Sequence, residues 1–118
     1  MRTAIDITSV IYGRGVSRYT SNLVRSLYDL EHIDLQLFGT SLRRGQELRD
    51  WAEAHTPRAS IDVKPLPTWA MHWAWKFGTL PVADRFRRKP DLIHSWDWMQ
   101  PPDTHIPLVS TIHDLAML

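Results

Sequence analysis

Two clusters in this chain carry residue types that can do chemistry. The first is Gly13-Arg14-Gly15-Val16-Ser17-Arg18, which follows a short apolar run and opens a helical pattern. A glycine-bearing loop at a helix start leaves backbone N–H groups unpaired where the helix dipole is positive, and a phosphate is the natural occupant. The second is His113-Asp114, placed directly after the apolar run Leu108-Val109-Ser110-Thr111-Ile112. A histidine at a strand exit can donate to a ligand oxygen or take a proton. By spacing alone, a capping or core histidine is the commoner role.

Alternative chemistries fit these residues less well. A dinucleotide fingerprint wants a third glycine where Arg18 stands and its first glycine directly after the strand, whereas Ser9 to Tyr12 intervene. No acidic residue ends the second strand to hold a ribose, although Arg43-Arg44 offers a partner for a 2′-phosphate. His94, His105 and His113 match no standard zinc spacing. A plain structural turn remains open for the glycine loop.

Both clusters need elements to position them. Residues 2–8 read as a first strand, with Asp6 at its C-terminal end facing a crevice or bonded to nearby backbone N–H groups. Val16, Tyr19, Leu23, Val24, Leu27 and Leu30 recur at helical spacing. Ser17, Thr20, Ser21 and Asn22 in the first turns can cap N–H groups or meet an anion. Ile33, Leu35 and Leu37 alternate as a second strand that Gly39-Thr40-Ser41 should end. Arg43 to His55 reads as a polar helix and Ile61 and Val63 as a third strand. Trp69 to Arg88 reads as helical, with Gly78 and Pro81 as the places for a break and the basic run Arg85 to Lys89 as its C-terminus. Residues 91–96 and 107–112 complete the strands. Strands alternating with helical crossovers predict a doubly wound parallel α/β sheet, Rossmann-like, in three α/β/α layers, over one domain at 1–118. Ligands of such sheets sit beyond the strands' C-terminal ends, where Gly13–Arg18, His94–Trp98 and His113-Asp114 all fall.

Composition narrows the class. The 118 residues are 43% hydrophobic, which suits one folded domain, and the net charge of +1 gives no field that calls for nucleic acid. There is no cysteine, so thiolate chemistry and disulfides are excluded. No apolar run approaches the roughly 18 residues that span a bilayer. A cytoplasmic location is the default, with peripheral membrane contact open. Five of the six tryptophans (Trp69, Trp73, Trp75, Trp96, Trp98) cluster in one region, as a packed sub-core or as an aromatic surface. Packing against the sheet is the plainer expectation for Trp69 to Phe77.

Asp-Ile-Thr-Ser at 6–9, Gly-Val-Ser-Arg-Tyr-Thr-Ser-Asn-Leu at 15–23, Pro-Asp-Leu-Ile-His-Ser at 90–95 and Pro-Leu-Val-Ser-Thr-Ile-His-Asp-Leu at 107–115 stand in order along the chain. Together they resemble the N-terminal half of a family-4 (group 1) glycosyltransferase of the GT-B fold. The resemblance implies a retaining transfer from a nucleotide-sugar donor without a bound metal or other cofactor. It places Gly15, with Arg14, Val16, Ser17 and Arg18 around it, at the donor diphosphate, and the catalytic His113 beside the transferred sugar. Many members carry a glycine where Ser17 stands. The N-terminal domain of that family binds the acceptor, here a glycan, lipid or small molecule. By location Trp96, Trp98 and Asp114 are its acceptor-side residues.

The C-terminal domain that holds the nucleotide and a paired-glutamate motif is absent from these residues. The 118 residues alone are therefore expected not to catalyse transfer. They are also expected to expose an apolar sheet edge near residues 107–112, open to self-association, the missing domain or a partner chain. An NADP-dependent oxidoreductase fragment and a non-catalytic α/β module that binds through its Trp-rich helix are the competing readings.

Overall fold

A computed structural model of the chain describes residues 1–11, 15–30, 32–96, 101–103 and 105–111, with the side chains of 11, 15, 16, 96, 110 and 111 left aside. Its elements in chain order are β1 (Arg2–Asp6), a 3-10 turn (Thr8–Ile11), α1 (Gly15–Tyr28), β2 (Asp34–Thr40), α2 (Gly45–His55), β3 (Ser60–Lys64), α3 (Thr68–Lys76), a second 3-10 turn (Val82–Arg85), β4 (Leu92–Trp96) and β5 (Leu108–Thr111). The strands form one sheet in the order β3-β2-β1-β4-β5. Every pairing is parallel.

Strand alternation sorts the core into two halves. Ile5, Leu35, Leu37 and Val63 pack with Val24 of α1 and with Leu48 and Ala52 of α2 on one face. Ala4, Phe38 and Ile93 pack with Met71 and Trp75 of α3 and with Val82 on the other. The doubly wound, three-layer α/β expectation holds. Among the described residues β5 pairs only with β4, so the segment predicted as an open edge is an edge strand there, with Val109 44% exposed on it. No helix among the described residues is long and apolar enough to cross a membrane.

The boundaries that depart from the sequence expectation with most consequence are those of β1, β2 and α3. β1 ends at Asp6, not Thr8, because the Asp6 carboxylate captures the Thr8 N–H and turns the chain. Gly39 and Thr40 lie inside β2, not after it. A Cβ at Gly39 would stand 2.8 Å from Leu48 Cδ2 and 3.3 Å from Thr8 Oγ1, so this glycine is a close-approach position for α2 and the first 3-10 turn.

The Trp-rich helix stops at Lys76 and does not reach Arg88. Gly78 (φ 78°) and Leu80 (φ 53°) take left-handed conformations that no helix continues through, and Pro81 follows. The basic run is therefore not a helix C-terminus. Its first member, Arg85, turns inward: the guanidinium pairs with the Asp62 carboxylate, donates to the Gly39 carbonyl (2.9 Å) and lies 5.4 Å from the Phe38 ring centroid.

Candidate functional site

β1, β4 and β5 are neighbours and parallel, with Ile5 opposite His94, His94 opposite Val109 and Trp96 opposite Thr111. The chain therefore leaves Asp6, Trp96 and Thr111 at one edge of the sheet. At that edge a net of small polar side chains fixes the entry to α1. Asp6 Oδ1 accepts from the Thr8 N–H (2.9 Å). Thr8 Oγ1 accepts from the Thr40 N–H (3.2 Å), tying the 3-10 turn to the end of β2. Ser9 Oγ and Thr20 Oγ1 share a 3.0 Å hydrogen bond, and Ser17 Oγ donates to the Val10 carbonyl (2.7 Å). All six side chains are buried. Their hydrogen bonds staple the turn to the first two turns of α1, so the helix start is held on both sides. The N–H groups of a helix's first turn lack partners within the helix, which makes this rigid start suited to an anion.

Asp6 sits on the α3 face of the sheet, by alternation with Ala4. Burial raises its carboxyl above the usual range, while the Thr8 hydrogen bonds and the charges of Arg85 and His72 pull the other way. Asp6 ends the strand and bonds the backbone two residues on, as the second expectation has it, with its carboxylate buried (4% exposed) rather than open to a crevice.

The structure places the predicted residues unevenly. Gly15 opens α1, Val16 and Ser17 follow in its first turn, and Arg18 is exposed. The single hydroxyl proton of Ser17 is committed to Val10. It can contribute its backbone N–H to an anion while its side chain positions the loop. Trp96 ends β4, next to β1 in the sheet. His94 lies one turn of the pleat earlier, between Ile5 and Val109, so it is a mid-strand residue and not part of the exit. Arg14, Trp98, His113 and Asp114 lie outside the described residues. Sequence reasoning missed the Arg85–Asp62 pair. In the sequence Arg85 reads as part of a basic helix C-terminus, and the left-handed turn before it brings it under the sheet.

A cleft of about 560 Å³ opens at the opposite edge, where β1, β2 and β3 begin. Arg2, Tyr28, Arg58, Arg87 and Arg88 line it. Arg58 Nε donates to the Tyr28 hydroxyl (2.8 Å) and the guanidinium lies 4.8 Å from its ring centroid, which lowers the phenol's pKa from its ordinary value. Arg2 is held by the Lys89 carbonyl (2.7 Å), and its backbone N–H donates to Asp91 (2.9 Å). Two of these cations thus serve the fold, and the cleft is at the edge that parallel α/β sheets do not use for ligands.

One family model, described as Glycosyltransferase Family 4, matches residues 13–117, from the glycine loop to one residue before the last. No curated protein and no solved structure matches the chain.

Proposed function

The chain belongs to glycosyltransferase family 4, and on that premise we propose that it forms the N-terminal, acceptor-side half of a retaining GT-B enzyme that takes its sugar from a nucleotide-sugar donor. The observation that supports the reading is the common exit of β1, β4 and β5, because it brings the end of β1, which leads to the start of α1, to the same edge of the sheet as Trp96 and Thr111.

Each residue has a role in this reading. The N–H groups of Gly15, Val16 and Ser17 and the cations Arg14 and Arg18 face the donor diphosphate. Charge builds on that group as it departs, and fixed dipoles with guanidiniums can stabilise it without a metal ion. The buried net of Ser9, Ser17 and Thr20 keeps those N–H groups in place before the donor arrives. His113 stands beside the transferred sugar and holds its hydroxyls. Trp96, Trp98 and Asp114 take the acceptor, since aromatic faces suit sugar rings and apolar chains alike. The nucleotide falls to a second α/β half, so these 118 residues alone do not turn over.

The test is transfer from a panel of uridine, guanosine and adenosine diphosphate sugars, run on the longest form that the gene encodes. Transfer with retained anomeric configuration, reduced by about 100-fold or more in His113→Ala, is the expected result. NADPH binding at the loop with no sugar transfer would replace this reading with the oxidoreductase one.

A further inference from the structure

The outward faces of α2 and α3 differ in kind. α2 shows solvent Gln46, Glu47, Arg49, Asp50 and Glu53. α3 buries Met71 and Trp75 and turns Trp69 (67% exposed), Trp73 (53%) and, just past its end, Phe77 (70%) outward. These three stand at four-residue steps, so they form one stripe along the helix. Trp73 and Phe77 stack with centroids 5.5 Å apart, and Lys76 Nζ lies 5.2 Å from the Trp73 centroid. The stripe continues into Leu80, 41% exposed in a left-handed conformation that is costly for a leucine; its carbonyl accepts from the buried Trp75 indole N–H (3.0 Å). The fold holds a leucine outward under backbone strain, beside three exposed rings.

We propose that this ridge docks the protein on an anionic lipid bilayer surface. Charge points to that occupant. Residues 65–83 contain Lys76 and His72 and no aspartate or glutamate. Aromatic side chains flanked by cations are what the headgroup region of a bilayer accommodates, with the rings at the acyl boundary and the ammonium among the phosphates. Area argues against a second copy of the chain. The three exposed rings present on the order of 400 Å², about half of what one side of a stable protein interface buries. This inference stands apart from the transferase reading and holds or fails without it.

The test is co-sedimentation of the full chain with vesicles of phosphatidylcholine alone and of phosphatidylcholine mixed with phosphatidylglycerol. The chain should partition to the mixed vesicles, with tryptophan emission shifting to the blue and quenched by lipids brominated on the acyl chain. Trp69→Ala/Trp73→Ala/Phe77→Ala should lose about tenfold or more in partitioning while keeping its circular dichroism spectrum, since these side chains face solvent. Lys76→Glu should weaken binding to the mixed vesicles and leave binding to phosphatidylcholine unchanged. The proposal is overturned by equal partitioning of the triple variant, by failure of the native chain to bind either vesicle, or by a native dimer that the triple variant converts to monomer.

Discussion

The two edges of the sheet solve opposite problems. At the C-terminal edge the polar groups are small, buried and bonded to one another: Asp6 to Thr8, Thr8 to Thr40, Ser9 to Thr20, Ser17 to Val10. At the N-terminal edge four arginines, with Asp29 and Asp34 among them, surround an open cleft of about 560 Å³. The second edge offers volume and charge. The first offers backbone dipoles held rigid before a ligand arrives, and catalysis needs groups that do not reorganise as charge develops. Among the described residues the open cleft and the bonded polar net sit at opposite edges. The family match begins in the loop of the preorganised one.

The comparison breaks if the C-terminal edge is not in fact held by the core. Phe38 is the sharpest probe, since it pairs with Asp6 across β1–β2, packs edge-on to Trp75 (6.4 Å) and lies under the Arg85 guanidinium. Phe38→Ala should cost about 3–5 kcal/mol in urea unfolding. Next, Ser17→Ala strands the Val10 carbonyl and should cost about 1–3 kcal/mol. Arg87→Ala, at the other edge, should leave the unfolding midpoint where it is. Equal losses at Ser17 and Arg87 would erase the distinction between the edges.

Asp6 sharpens the comparison through pH. Its carboxyl is raised in the folded state by burial, so the folded protein holds that proton more tightly than the unfolded chain does. The stability tied to protonated Asp6 is fully present below the unfolded value and is lost as pH rises through the folded one. Asp6→Asn keeps an oxygen for the Thr8 N–H and removes the titration. The native protein should therefore lose stability relative to Asp6→Asn as pH climbs from about 4 towards neutrality. A constant difference across that range would mean that Asp6 is not desolvated. The smallest effect belongs to the open edge. Arg58→Ala should return the Tyr28 phenol to its ordinary pKa, read by ultraviolet titration, with no change in fold.

Much of this was legible in the sequence, and for physical reasons. Parallel strands buried on both faces read as apolar runs, so Ile5, Leu35, Leu37 and Ile93 announce themselves. The position of Asp6 and the start of α1 also came through, because a polar residue ending such a run and a glycine opening a helix are local signals. What did not come through depends on contacts far apart in sequence. Gly39 reads as a strand breaker until Leu48 and Thr8 close on it. Arg85 reads as one of four basic residues until two left-handed residues send it beneath the sheet to Asp62. Trp69 and Trp73 share a pattern with Trp75, and only the packing of Met71 and Trp75 on the sheet decides which rings face water. His113, Asp114, Arg14 and Trp98 stand on sequence alone.

The most direct test is a backbone-amide NMR titration of the chain with uridine and guanosine diphosphate sugars. The account predicts shifts that concentrate at residues 15–18 and at the ends of β4 and β5, with the amides around Arg58 and Tyr28 unmoved. Shifts confined to the arginine-lined cleft at the start of the strands, or none with any nucleotide sugar while NADPH moves the loop, would contradict it.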